Sequence, residues 1–296
     1  MTNRTPQRMR RDGRAALIFL APFLIIYCVF LIFPLFKAVF ISFHDWELAG
    51  GYREWIGFFN YEDLWYDDYF WKALGNTMRF AAMAVPSMTI LALLLALGLH
   101  GHGRVRAVLR SVFFSSSVFS VTVVTLVWQM VLSPDRGLIA PIFRSMGMEP
   151  INFLGSVEWA MPSLVIATLW WGVGLPMALF LAALGQIPDE LYEAAELDHA
   201  SRWSTLRYIT LPGIRHTVLL VLVLQIVGQF QIFGQAQLMT KGGPANTTLT
   251  LVQYIYNTGF RDWQVGYATT IALALFVVMA GFSMLQLWLG RKGDDQ

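Results

Sequence analysis

Six long apolar runs decide what this chain can fold into. They cover about 15–43, 80–99, 111–134, 159–186, 217–240 and 263–290, and Lys37 is the one charged residue among them. Each reaches the roughly 20 residues that a helix rising about 1.5 Å per residue needs to cross about 30 Å of hydrocarbon. A backbone in lipid has no water to bond, so only helices and closed barrels span it, and unbroken apolar runs lack the alternation of barrel strands. The pattern predicts an all-α polytopic membrane protein with six transmembrane helices. Charged residues make up 14% of the chain, against about 25% in a soluble domain, which argues against a soluble enzyme. A net charge of +2 gives no reason to expect nucleic acid as a partner, and the single cysteine, Cys28, can form no disulfide within the chain.

Topology follows from the basic residues. Arg4, Arg8, Arg10, Arg11 and Arg14 precede the first run. That run is longer than the roughly 7 to 15 residues of a secretory h-region, and no small-residue cleavage site follows it. It reads as a retained span behind a cytoplasmic tail, 1–14. Lys and Arg collect in short cytoplasmic loops, and Arg104, Arg106, Arg110, Arg202, Arg207, Arg215, Arg291 and Lys292 all fall on that same side. Arg53, Lys72, Arg136, Arg144, Lys241 and Arg261 are spread over longer segments opposite. The expectation is a transmembrane domain over 15–290 with both termini, including the tail 291–296, in the cytoplasm. The first outer loop carries Trp46, Tyr52, Trp55, Tyr61, Trp65, Tyr66, Tyr69 and Trp71. Such rings suit the headgroup interface, and they equally suit a docking surface for an external partner.

The segment 187–216, IPDELYEAAELDHASRWSTLRYITLPGIRH, is polar and patterned as two short helices. Asp189 and Glu190 follow Pro188, where a helix N-terminus favours negative charge and tolerates proline. Leu191, Ala194, Ala195 and Asp198 fall at i, i+3, i+4 and i+7, which puts two small residues on one face. Ser201 is placed to cap a second helix carrying Trp203, Leu206 and Ile209, and Pro212 is expected to end it. By itself the pattern fits either an interfacial amphipathic element or a docking site for a cytoplasmic partner.

The residues carry a resemblance. Glu193-Ala194-Ala195, then three residues, then a position usually occupied by glycine, then nine residues before Ile209-x-Leu211-Pro212, resembles the EAA loop of permease subunits in binding-protein-dependent ABC importers. Here the usual glycine is His199. Ile187-Pro188-x-Glu190-Leu191-Tyr192, Gly57-x-x-Asn60-Tyr61 with Phe70-Trp71 and Asn76-Thr77, and Leu238-Met239-Thr240-x-Gly242-Gly243-Pro244 are similar to the carbohydrate branch, of maltose and glycerol-3-phosphate type. The resemblance implies a type I permease-like fold. It implies a second homologous permease subunit, two copies of an ABC ATPase that bind ATP and magnesium, and an extracytoplasmic solute-binding protein. It also implies that Glu193, Ala194, Ala195, Asp198, His199, Ala200, Leu211 and Pro212 form the ATPase-coupling contact, a stiff helix transmitting motion that a loose loop would absorb. A glycine at 199 would permit φ > 0, and His199 is expected to be a solvent-facing side chain on a slightly altered turn.

The chain contains no G-x-x-x-x-G-K-[ST] stretch, so ATP hydrolysis is expected from a separate partner and no cofactor is expected on this chain. His100-x-His102 lacks the nearby Cys or carboxylate of a metal site, and no nucleophile, base and acid combine into a catalytic set. A substrate path is expected along the fifth run. Gln225 and Gln229 share a face there, with Phe233 continuing it, and amides beside aromatics suit sugar hydroxyls and ring faces. Helix–helix hydrogen bonding would use the same glutamines. The resemblance adds Trp170, Trp171, Gly172 and Leu175 of the fourth run to the lining. The absence of Arg from this path tilts the ligand toward neutral sugars. An ion- or proton-coupled secondary transporter is the alternative. It would carry ionisable residues near the midplane, where this chain offers only Lys37, near the end of its run. A membrane-embedded enzyme would need intramembrane His, Asp or Glu clusters, and none is written in the runs.

Overall fold

The structure, a computed structural model, describes residues 19–48, 50–51 and 53–292. The arginine-rich tail 1–14, the start of the first run, Tyr52 and the end of the C-terminal tail, 293–296, lie outside the described residues. The chain divides into two compact units, one formed by residues up to Tyr66 with Asn257–Leu273, the other by Asp67–Tyr256 with the segment from Ala274 onward.

In the first unit, helix α1 (Phe19–Ser42) is apolar apart from Lys37 and its last residue, and none of its most hydrophobic stretch is buried within the chain. Phe19, Phe30 and Phe36 are each at least 70% exposed, so lipid or another chain must cover them. Its end is fixed by the Gly57-x-x-Asn60-Tyr61 segment. Asn60 Nδ2 donates to the carbonyls of Ser42 (2.8 Å) and His44 (3.1 Å), and the Tyr61 and Ser42 hydroxyls lie 2.7 Å apart. A two-stranded antiparallel hairpin follows, β1 (His44–Trp46) with β2 (Arg53–Trp55), and then α2 (Phe59–Tyr66). The aromatic loop therefore has its own small fold. Phe43 packs on Trp55, Phe58 and Tyr61 with ring centroids 5.2–5.5 Å apart, and Arg53 lies 4.1 Å above the Trp46 ring.

In the second unit, helix α3 (Asp68–Leu99) is the central post. It begins at Asp68 rather than at the start of the apolar run, because Asp67 caps it by accepting from the Tyr69 amide at 2.8 Å. Lys72 and Arg79 therefore both ride on its first half, and Arg79 adds to the basic residues on the expected outer side. Ala84, Ala92 and Ala96 are fully buried along one face. Small residues there let backbones approach, which is how helices associate where apolar surface alone gives no preference for protein over lipid.

Three of the six runs are not single straight helices. The 111–134 run belongs to α4 (Arg104–Ser115) and α5 (Val121–Leu132), which meet at 104°. The cause lies in the serines between them, whose hydroxyls offer the backbone alternatives to helix. Ser120 caps α5 at Val123, and Ser116 and Ser117 both donate to the Trp171 carbonyl, at 3.2 and 3.1 Å. After the short α6 (Ala140–Ser145), the 159–186 run forms α7 (Ala160–Gly172) and α8 (Gly174–Leu184), bent by 50°. The two bends interlock. The Trp171 Nε1–H donates to the Phe119 carbonyl at 3.0 Å, and a Cβ on Gly174 would come within 2.8 Å of Phe114 Cα. The 217–240 run forms α11 (Arg215–Phe230) and, after a break at Gln231–Phe233, the π-helical turn α12 (Ala236–Thr240). Between α8 and α11 lie α9 (Asp189–Leu197) and α10 (Arg202–Gly213). The short α13 (Leu251–Tyr256) precedes α14 (Val265–Lys292), which crosses from the first unit's residues into the second's.

Two apolar cores lie along α3. Phe80 and Ala84 pack with Met161, Leu164 and Met239. Met88, Ala92, Ala96 and Leu99 pack with Met177, Phe180, Ile187, Ile214 and Val221, and this second core carries the 187–216 segment.

Candidate functional site

The 187–216 segment is built as two capped helices on a buried footing. Helix α9 begins at Asp189 with Asp189 and Glu190 in its first turn. It ends in a Schellman turn: the His199 amide donates to Glu196 O (3.0 Å) and the Ala200 amide to Ala195 O (2.9 Å), with His199 left-handed at φ 52°. The backbone thus keeps the geometry that suits a glycine at the end of a helix, while the histidine side chain is exposed. A left-handed L-residue costs roughly 1–2 kcal/mol. His199→Gly should therefore stabilise this turn by up to about that amount, read from a thermal midpoint, and a lower midpoint would show that the imidazole makes a contact of its own.

Ser201 caps α10, accepting from the Ser204 amide at 3.1 Å. The two helices are tied by Tyr192 and Thr210, whose hydroxyl oxygens lie 3.2 Å apart, across a cavity of about 430 Å³ bordered by Glu196, Ala200 and Arg202. Ile187 and Ile214, at the two ends of the segment, are both buried, so the pair stands on the second core. Pro212 stands at the end of the second helix, one residue before its last. Helix α10 runs to Gly213, and the chain then turns by 68° into α11. A Cβ at Gly213 would lie 2.9 Å from Ile187 Cδ1, so the glycine lets Ile187 pack close at this turn.

The expected contact residues separate. Glu193, Ala194, Asp198, His199, Ala200 and Pro212 are exposed, Leu211 is half-buried, and Ala195 is buried against its own chain. The two alanines thus do not share an outward face: Ala194 points out and Ala195 makes the footing. Leu197, 82% exposed, and Leu191, 49% exposed, complete an apolar outer surface with Ala194, while Trp203 and Tyr208 project from α10. The signal for Leu197 was present in the spacing, three residues beyond Ala194, but a lone leucine on a polar helix draws no attention until its side chain is seen to have no cover.

On the proposed path, the Gln229 Nε2 amide donates to Gln225 Oε1 at 2.8 Å, with Gln229 buried and Gln225 half-buried. Phe233 does not continue that face, because the helix stops at Phe230. Its ring instead packs on Tyr256, 5.1 Å away. Trp171 is occupied in the interlocked bends. Trp170 stands edge-on to Trp128 at 6.2 Å, Gly172 faces the Met88 methyl, and Leu175 is 56% exposed. Sequence reading missed a further amide pair, Gln253 Nε2 to Gln237 Oε1 at 2.8 Å, which leaves Gln253 Oε1 buried without a partner.

The remaining motif residues do meet. Asn76 Nδ2 donates to the carbonyls of Asn246 and Leu249, at 2.8 and 2.9 Å, Thr77 Oγ1 accepts from the Leu251 amide, and Lys72 Nζ reaches Ala245 O. These bonds hold the loop that follows Gly242-Gly243-Pro244, itself braced by Thr248 Oγ1 to Gly243 O. Among the described residues no His, Cys, Asp and Glu gather into a group able to hold a metal ion.

Comparison with known proteins bears on this arrangement. Residues 80–293 match the family described as binding-protein-dependent transport system inner membrane component. The lactose transport system permease protein LacF of Rhizobium radiobacter is 32% identical over 93% of this chain and 93% of its own length. The diacetylchitobiose uptake system permease protein NgcF of Streptomyces coelicolor is 33% identical over 98% of this chain and 89% of its own. In structure, a chain from a bacterial ABC transporter involved in the import of the acidic polysaccharide alginate superposes with a TM-score of 0.81, over 97% of this chain and 98% of that one, at 23% identity.

Proposed function

Because the chain belongs to the family of binding-protein-dependent transport system inner membrane components, we propose that it is the permease subunit of an ATP-driven importer that moves a sugar, delivered by an extracytoplasmic binding protein, across the inner membrane. The observation that carries this reading is the α9–α10 pair. Both helices are capped, they are tied at Tyr192 and Thr210, and they stand on a buried core while presenting Leu191, Ala194 and Leu197 outward. A soluble partner can seat on such a surface, and the rigid footing passes its motion to α8 and α11. The partners follow: a second homologous permease, two ATPase copies that bind ATP and magnesium, and membrane lipid around α1. Hydrolysis belongs to those ATPases and transport to this chain. The basic residues of the short loops support a cytoplasmic α9 and α10, with both termini on the same side.

The relatives named for lactose and diacetylchitobiose support a neutral oligosaccharide as cargo, in keeping with the absence of Arg from the run 217–240. Calorimetry on the cognate binding protein with a panel of neutral and acidic sugars tests this, and a binding protein that takes only inorganic ions would overturn it. The double variant Gln225→Leu/Gln229→Leu should lower sugar uptake about tenfold through lost hydrogen bonds, with the ATPase still co-purifying. Unchanged uptake would mean that this amide pair serves only the packing of its own helix.

A further inference from the structure

Between the two apolar cores along α3, four of the six apolar runs lose their regular backbone ladder. In α3 the interruption is Pro86, which stands between Ala84 of one core and Met88 of the other. A proline there has no N–H to give to the carbonyl four residues back, and its ring crowds that carbonyl. The Thr89 hydroxyl also bonds back to the Val85 carbonyl, at 2.8 Å, a contact that bends helices. The other interruptions are the breaks at 116–120, 172–174 and 231–233. All four are neighbours in space. A Cβ on Gly172 would lie 3.0 Å from the Met88 methyl, one on Gly174 would lie 2.9 Å from Ser117 Oγ, and one on Gly234 would lie 2.5 Å from Val121 Cγ2. The interruptions therefore form one continuous layer.

Each side of the layer is held together separately. On one side Met177 and Phe180 of α8 and Val221 of α11 pack on α3, and Ile187 and Ile214 join that core to the 187–216 segment. On the other side Met161 and Leu164 of α7 pack on α3 with Ile232 and Met239. There the amides of Gln129 and Gln235 tie α12 and the residue before it to α5 and α7, through Leu238 O at 2.6 Å and Thr168 Oγ1 at 3.3 Å. A filled core resists deformation and transmits strain, whereas prolines and broken ladders are where helices bend. We propose that the two cores move as separate rigid bodies during transport and tilt about this layer. Motion of the α9–α10 pair then carries the core it stands on, while the far core stays with α12. The tilt changes the spacing between the amide pairs Gln225–Gln229 and Gln237–Gln253, which the break at 231–233 separates. The inference rests on the importer reading for its driving force.

The test uses the assembled transporter in lipid nanodiscs, with Cys28→Ser as background and spin labels on paired cysteines. Distances are read by pulsed electron paramagnetic resonance, nucleotide-free and trapped with ATP and vanadate. Ile166→Cys with Leu220→Cys spans the layer, and Leu94→Cys with Leu220→Cys lies within one half; all three positions are at least 50% exposed. A tilt of about 15° over about 15 Å, half the hydrocarbon thickness, should shift the first distance by roughly 4 Å and leave the second within about 1 Å. Pro86→Ala returns the missing donor to α3 and should cut that shift to about half or less, with the complex still assembled. Two unchanged distances would mean that the subunit moves as one body, and equal shifts in both pairs would mean diffuse flexing. Either result overturns the proposal, as does an undiminished shift in Pro86→Ala. Failure of the parent complex to hydrolyse ATP would overturn the importer reading, and the tilt with it, by a readout separate from the distances.

Discussion

Leu197→Asp is expected to leave the permease folded in the membrane and to lower transport-coupled ATP hydrolysis by about 30-fold or more. Leu197 is 82% exposed, so an aspartate there loses nothing within its own chain. A central apolar contact at a protein interface is commonly worth about 2 kcal/mol or more, and a carboxylate pressed into such a contact adds desolvation to that loss. Ala195→Trp serves as the counterpart. Ala195 is buried, so its enlargement should disturb the footing and lower the yield of assembled permease. If Leu197→Asp left hydrolysis coupled to transport, the outward face of α9 would not be the seat of the ATPase, and the import reading would lose its principal support.

The second large effect concerns the interlocked bends. Gly174→Leu should destabilise the permease by roughly 1–3 kcal/mol or more, the range of overpacking a filled interior, and should sharply reduce the complex recovered from membranes. The neighbours of the missing Cβ are Phe114 Cα at 2.8 Å, Phe113 O at 2.9 Å and Ser117 Oγ at 2.9 Å. Two of these are backbone and have no rotamer by which to retreat. Trp171→Phe should cost less, about 1 kcal/mol, through loss of the bond to the Phe119 carbonyl. Thermal midpoints of the purified complex separate the two variants, and equal midpoints for Gly174→Leu and the parent would show that the bends can part without penalty.

The membrane class was legible because run length and missing charge are properties of composition along the chain, which helix geometry converts directly into spans. The bends were not. An apolar run reads alike whether the helix passes straight through or is broken by Ser116, Ser117 and Ser120, since the deciding partner, the Trp171 carbonyl, lies 54 or 55 residues away in sequence. The two-helix form of the 187–216 segment was legible in Pro188, Ser201 and the spacing of its apolar residues. The outward or inward placement of adjacent Ala194 and Ala195 was not, because a periodic pattern marks a face without saying what it meets. His199 was legible as a departure from the glycine pattern, and only the backbone angle shows that the turn absorbed the change. Phe233 failed for a related reason: the i+4 continuation assumed a helix that ends at Phe230.

The knot at Trp171 and Gly174 also decides how force can travel. Helix α8 is 11 residues long, so about 16 Å of stiff rod separates the knot from the start of the segment that carries α9. Under the proposed coupling, a push on α9 would travel along this rod to the knot and be passed to α5 and α7, which the Trp171 and serine bonds fasten there.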